Sequence, residues 1–452
     1  MSARTGVPHG ASGGASGGAS TGAVDGAGII VLCPHFAPDT APTGTVMTRI
    51  VHELVDRGHV VHVVTSLPWY RAHRIEPGWE GRLARVEPTA WGSITRVHPF
   101  PGTDKRNLLR RAVGFAASSV LAGFHGIRVG GLGRRATAVI AMSPPLTLGL
   151  TGWAVSRVRR CPLVFNIQDV FPDAAIETGA ITNPSIITLA RALERVSYRA
   201  SDAVTVLSED LRDNVVAKVP DLADRVHVVP NFVDTAAIEP GSRLTAYRRE
   251  LDLGDGPVVL YAGNVGFSQS LDLVVAAARA LPEVTFLING DGAARPALEA
   301  SAADLPNVRF AGYIEPDRLA ELLATGDVHV VPLRAGLGRV SVPSKTYSIM
   351  AAGRPVVAAI DPDTAVPRIL ADSGAGLAVP PDDPTAFVEA IRRLVADPDR
   401  CARMGAAGRT WVEDHASPRA VGESYDRIVG SLQPAVAGTH LRGRPPNAAG
   451  RR

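Results

Sequence analysis

Cysteine is scarce in this chain. Cys33, Cys161 and Cys401 stand far apart among 452 residues, with no CxxC spacing and no histidine cluster beside them. That pattern speaks against a disulfide framework and against structural zinc. Long apolar runs are missing as well: no stretch approaches the roughly 18 uninterrupted apolar residues of a membrane span. The N-terminus also lacks the apolar core of a signal peptide. A cytoplasmic protein is expected, attached at most to the inner face of the cell membrane. The body carries little net charge, because Arg442, Arg444, Arg451 and Arg452 lie in an acid-free tail whose removal takes the formal charge from +3 to −1. A nucleic-acid partner is not expected, since its basic residues should cluster on the folded surface.

Both ends offer nothing to bury. Residues 1–28 are almost wholly Gly, Ala, Ser and Thr, with GASGGASGGAS at Gly10–Ser20, and 435–452 is the basic tail. Disorder is expected at both. Between them, short Val/Ile/Leu-rich runs alternate with longer segments of helical period, the pattern of βα units on a parallel sheet. The opening reads as strand Ile29–Cys33, a Pro/Gly loop to Gly44, a helix ending at Gly58 and strand His59–Thr65. This is a Rossmann-type unit.

Further strands are expected at Ile94–His98, Ala138–Ala141, Leu163–Ile167, Ala203–Val206 and Val226–Val229. A second series begins at Val258–Ala262 and continues at Val284–Ile288, Val308–Ala311, Val328–Pro332, Pro355–Ala359 and Gly376–Val379. The fold class expected is therefore α/β, with two doubly wound domains at 29–230 and 241–415 joined by a linker at 231–240. A closing helix at 416–434 follows, of a kind that often crosses back to the first domain.

Ligands of open α/β sheets bind beyond the carboxyl ends of the strands. Four loops there have special composition. His35–Gly44, ending in Thr43 and Gly44, leads into a helix N-terminus and reads either as a cleft loop or as a plain turn. Gly263 and Gly266 in YAGNVG permit close backbone approach, and NGDG supplies Gly290, Asp291 and Gly292. In RVSVPSK, Ser344 and Lys345 offer a hydroxyl and an ammonium to a diphosphate; the plain alternative is a helix cap with a solvated lysine.

With these residues in place, the chain resembles the retaining GT-B glycosyltransferases of family 4, in the branch similar to colanic-acid and O-antigen transferases of the N-acetylfucosamine type. The resemblance runs through His35–Ser66, Phe165–Ile181, Ser201–Val215, Val226–Asp234, YAGNVG, NGDG and Pro343–Ala358, in order, over about residues 29–430. It implies two facing Rossmann-like domains, the second holding a nucleotide-diphosphate sugar, with a UDP-sugar favoured, and the first holding the acceptor. Gly263, Asn264, Gly266 and Gly290–Gly292 would then line the diphosphate and nucleotide, Tyr313 within Gly312–Ile314 would read the base, and Ser344 and Lys345 would hold phosphate oxygens.

Two departures follow. Many members place Arg and Lys where this chain has Asn264 and Gln269, so Lys345 and Arg339 are the candidates for the missing positive charge. The Glu-x7-Glu element that commonly contacts the donor sugar has no glutamate in the corresponding Val340–Ser348.

Transfer in such a cleft rests on positioning and on electrostatic stabilisation of the leaving diphosphate. Neither a metal nor another cofactor is expected. Asp169, directly after a strand, is the candidate catalytic residue, where relatives carry a His or Asp facing the donor sugar; a loop Asp capping the next turn is the plain alternative. The segment 105–126 opens with Lys105, Arg106, Arg110 and Arg111 and continues as an apolar helix, compatible with peripheral membrane contact and a lipid-linked glycan acceptor, or with an ordinary domain helix. The rival of another class is a catalytically silent GT-B scaffold that binds nucleotide sugar or a partner transferase. A nicotinamide dehydrogenase fits poorly, because neither glycine loop is a full GxGxxG.

Overall fold

A computed structural model of the protein describes residues 28–71, 74–101, 108–168, 172–173, 183–338 and 343–433. Asp169 and Arg339 lie outside the described residues, as do the two tails apart from Gly28.

The short aliphatic runs become strands because a parallel sheet covered on both faces has no wet side. The first sheet contains β1 (Ile29–Leu32), β2 (Val61–Ser66), β3 (Ala84–Thr89), β4 (Gly92–Val97), β5 (Ala138–Ser143), β6 (Leu163–Ile167), β7 (Ala203–Val206) and β8 (Val226–Val228). Their order is β3-β4-β2-β1-β5-β6-β7-β8, and only the β3–β4 pair is antiparallel. The strand β3 is an addition to the sequence reading. Its residues are half-buried or exposed and include Pro88, which suits an edge strand and leaves no apolar run to read.

Helices cover both faces of this sheet. Leu108–Arg128, Thr147–Arg159 and Pro184–Ala200 press Ala122, Val155 and Tyr198 onto Leu32, Val139 and Phe165. Pro42–Asp56 covers the other face with Met47, Ile50, Val51 and Leu54. The chain's closing helix, Pro418–Ser431, packs on that same face although it follows the second sheet. Its Tyr425 hydroxyl accepts from Asn166 Nδ2 and lies 3.1 Å from Thr205 Oγ1, while His59 Nε2 meets Asp426 Oδ1 at 2.7 Å.

The second sheet contains β9 (Val258–Ala262), β10 (Thr285–Asn289), β11 (Val308–Ala311), β12 (Val328–Pro332), β13 (Val356–Ala359) and β14 (Gly376–Val379). It is wholly parallel, in the order β11-β10-β9-β12-β13-β14. Strand order therefore reverses between β1 and β5 in the first sheet and between β9 and β12 in the second. Arg368, in the helix that follows β13, donates to Asp210 at the start of the helix that follows β7. At that contact the carboxyl edges of the two sheets face each other.

Candidate functional site

A crevice opens where strand order reverses, because the two halves of the sheet send their connections to opposite faces. In the second sheet this crevice holds a cavity of about 330 Å³, between the carboxyl ends of β9 and β10 and the helix Lys345–Ala351 that follows β12. Gly263, Asn289, Tyr313, Glu315, Lys345 and Ser348 supply its polar rim, and Ile314, Leu319, Leu322, Leu323 and Ile349 its apolar wall. Apolar walls with a few convergent polar groups are the usual make-up of a small-molecule site.

The glycine loops are built by steric necessity. Gly263 has φ +137° and Gly290 φ +148°, and a Cβ on Gly290 would overlap the Gly263 carbonyl oxygen. The same holds for Gly292 against the Val265 carbonyl. The two loops are stitched together by Gly263 N–H donating to Asn289 O at 2.9 Å and Val265 N–H to Asp291 O at 2.9 Å. Arg295 braces the second loop, donating through Nη1 to Gly290 O at 2.6 Å and Ala311 O at 3.0 Å. Asn289 forms the buried floor: it accepts from the Tyr247 hydroxyl and donates to Gly312 O at 2.9 Å. Tyr313, two-thirds exposed, is tied by its hydroxyl to Asp291 O at 3.0 Å.

Lys345 is the charge of the site. Its ammonium lies over the Tyr261 ring, 4.1 Å from the centroid, and donates to the Tyr261 hydroxyl at 2.9 Å. A Cβ on Gly263 would come within 3.0 Å of Nζ, so the glycine makes room for the cation. Among the described residues no carboxylate pairs with Lys345, and burial pushes its pKa from 10.5 down to about 8. The result is a desolvated cation with no fixed counter-charge at the edge of an open cavity.

The other expected residues distribute as follows. Gly266 N–H is taken by Gln269 Oε1 at 3.0 Å, so Gln269 folds the loop. Asn264, Asp291 and Ser344 are exposed beside the crevice. In the first domain, Thr43 is half-buried and Gly44 is buried, where an added Cβ would come within 2.9 Å of His35 Cβ. His35 is fixed by Asp39 at 2.7 Å and stacks on Trp69. Thr43 and Gly44 thus lie at the carboxyl edge of the first sheet, apart from the cavity of the second. The residues the sequence reading missed are Tyr247 and Arg295; Tyr261 and Asn289 entered it only as the first residues of YAGNVG and NGDG, without a role of their own.

Comparison with known proteins agrees with this fold. WcaI of Escherichia coli strain K12, named for colanic acid biosynthesis as a glycosyl transferase, is 27% identical over 384 residues, covering 82% of this chain and 92% of the relative. A D-inositol 3-phosphate glycosyltransferase of Nocardia farcinica is 27% identical over 463 residues, covering 93% of this chain and 94% of its own length. Among solved structures, the sucrose-phosphate synthase of Thermosynechococcus elongatus superposes with a TM-score of 0.65 at 19% identity, over 89% of this chain and 98% of that one. HepE of Anabaena, solved with UDP and glucose, gives 0.62 at 15% identity, over 90% and 100%. The family described as a glycosyl transferase 4-like domain matches residues 43–231, and that described as glycosyl transferases group 1 matches 256–397. The chain belongs to the GT-B glycosyltransferases, as a group 1 enzyme with a family-4-like first domain.

Proposed function

We propose that this enzyme transfers a sugar from a nucleotide-diphosphate donor, with UDP as the favoured carrier, to a glycan or lipid-linked acceptor in cell-surface polysaccharide or glycolipid biosynthesis, with retention of anomeric configuration. The observation that carries the donor site is Lys345: a buried ammonium without a carboxylate partner, beside Gly263 at the rim of the cavity. A diphosphate laid across Gly263 supplies the missing counter-charge, and a charge-assisted contact in a desolvated site is strong. The apolar side chains Ile314, Leu319, Leu322 and Leu323 accommodate the flat face of a base, with Tyr313 and Glu315 at its edge.

As the glycosidic bond breaks, negative charge grows on the leaving diphosphate. Lys345 is already in place to absorb it, which lowers the barrier without reorganisation. The acceptor hydroxyl attacks on the face that the leaving group departs from. Asp169 is proposed to hold a donor-sugar hydroxyl or to assist the acceptor, and Arg339 to add to the charge on the diphosphate. The reaction is proposed to need no metal.

The test is a thermal-shift screen against UDP, GDP, TDP, NAD and their sugars, followed by transfer assays on the hits with and without EDTA. Stabilisation by UDP and its sugars, with turnover that survives chelation, supports the reading; stabilisation by NAD alone overturns it. UDP-sugar binding without turnover on any acceptor favours a silent scaffold instead. Loss of a catalytic acid or base costs about 100-fold or more, so Asp169→Ala within about twofold of wild type removes Asp169 from the mechanism.

A further inference from the structure

The loop that follows β1 holds a histidine and a buried carboxylate as a fixed pair. His35 Nδ1 meets Asp39 Oδ2 at 2.7 Å; the Asp39 side chain is wholly buried, whereas His35 keeps 11% of its side chain exposed. The other oxygen of Asp39 accepts the Tyr70 N–H at 3.3 Å. A carboxylate only accepts, so the ring proton that Asp39 holds is the one on Nδ1, and the lone pair of the neutral ring lies on Nε2. Among the described residues nothing bonds to Nε2.

The loop is pinned so that the ring keeps one direction. Ala37, between the two residues, donates its N–H to Thr48 Oγ1 at 2.9 Å and accepts from Arg96 Nη2 at 2.6 Å. Asp39 N–H closes the turn onto Phe36 O at 3.0 Å. Arg96 turns its Nε to Glu87 at 3.2 Å, which leaves Asp39 to the histidine. Trp69 stacks on the imidazole with centroids 5.6 Å apart, and Tyr70 stands edge-on at 5.3 Å. Burying a carboxylate on so few donors costs stability. What the arrangement yields is an imidazole of set tautomer and direction with its second nitrogen free, the make-up of a general base.

The position in the fold suits that role. The strands β1 and β9 occupy matching places, each where strand order reverses, and the carboxyl edges of the two sheets face each other. The His35 loop thus belongs to the edge opposite the Gly263 loop. Trp69 also lines a small cleft with Ser66, Ser118 and Phe115, hydroxyl and aromatic groups of the kind that grip a sugar ring.

We propose that His35 is a catalytic residue of sugar transfer, an assignment that rests on the transferase function proposed above, and that Asp39 is the positioning residue behind it. Nε2 takes the proton of the acceptor hydroxyl as the hydroxyl oxygen bonds to the anomeric carbon. The bond from that carbon to the diphosphate breaks, and its electron pair stays on the diphosphate beside Lys345. The imidazolium formed lies against the Asp39 carboxylate and passes its proton to water once the products leave.

The test follows release of nucleotide diphosphate from the nucleotide sugar that stabilises the wild-type protein, with water and with octyl β-glucoside as acceptors. For His35→Ala the expected result is a fall in kcat of about 100-fold or more, with the KM for the donor and the thermal shift with UDP as in wild type. Added imidazole should restore the rate of this variant by about tenfold or more, which a merely structural histidine would not allow. Asp39→Asn still accepts the Tyr70 N–H, but its amide donates to Nδ1 and moves the ring proton to Nε2; a comparable fall is expected, without rescue by imidazole. His35→Ala within about twofold of wild type, a fall that imidazole does not lift, or Asp39→Asn at the wild-type rate would each overturn the assignment. Loss of the UDP thermal shift in both variants would overturn it too, since the pair would then hold the fold. Wild-type protein that binds the donor but releases no nucleotide with either acceptor would contradict the transferase reading itself.

Discussion

Replacing Lys345 with methionine should make the empty protein more stable while weakening its hold on UDP. Folding takes the Lys345 pKa from 10.5 to about 8, and burial is the cause. At roughly 1.4 kcal/mol per unit, the ammonium costs the folded state about 3 kcal/mol at pH 7. The contacts to Tyr261, one hydrogen bond and one cation–π contact, are already made in the native state and together return about 1–2 kcal/mol when lost. The net expectation for Lys345→Met is a gain of about 1–2 kcal/mol in urea unfolding at pH 7.

The sign with pH is fixed. Folding disfavours the protonated form, so the penalty is complete below about pH 8 and fades as pH rises toward 10.5. The advantage of the variant should therefore shrink between those limits. Calorimetry with UDP should show the opposite effect, a loss of about 2–3 kcal/mol, or about 30- to 150-fold, because the diphosphate loses its only buried cation among the described residues lining the cavity. A variant that is less stable than wild type at pH 7, or a stability gain that does not fade by pH 10, would refute the picture of an unpaired buried ammonium.

Two further substitutions test the framework around the site. Gly290→Ala places a methyl group on the Gly263 carbonyl at a φ of +148°, and should cost about 3 kcal/mol in unfolding and abolish the thermal shift with UDP. Tyr425→Phe removes the hydroxyl shared by Asn166 and Thr205, and should cost about 1–2 kcal/mol in urea unfolding while leaving the UDP affinity of the second domain unchanged.

Much of the fold was legible because parallel strands buried on both faces write themselves as aliphatic runs. Leu163–Ile167 and Val328–Pro332 are found at the expected residues. The edge strand β3 was not legible, since ARVEPT buries no residue fully and contains a proline. At the site, Gly263, Gly290 and Gly292 announce themselves, because only glycine tolerates such close backbone approach. The partners that finish the cavity do not. Tyr261 is an ordinary strand residue until Lys345, 84 positions later, is laid on its ring, and Arg295 is an ordinary helical arginine until it meets two carbonyls of neighbouring loops.

The central claim is that the nucleotide diphosphate lies at the β9–β12 crevice of the second domain. Amide hydrogen exchange with and without UDP tests it most directly. Protection is expected in 262–266, 289–293, 313–319 and 345–349, with the first sheet's loops at 33–44 and 65–69 unchanged. Protection confined to those first-domain loops, or none in the second domain at saturating UDP, would contradict the account.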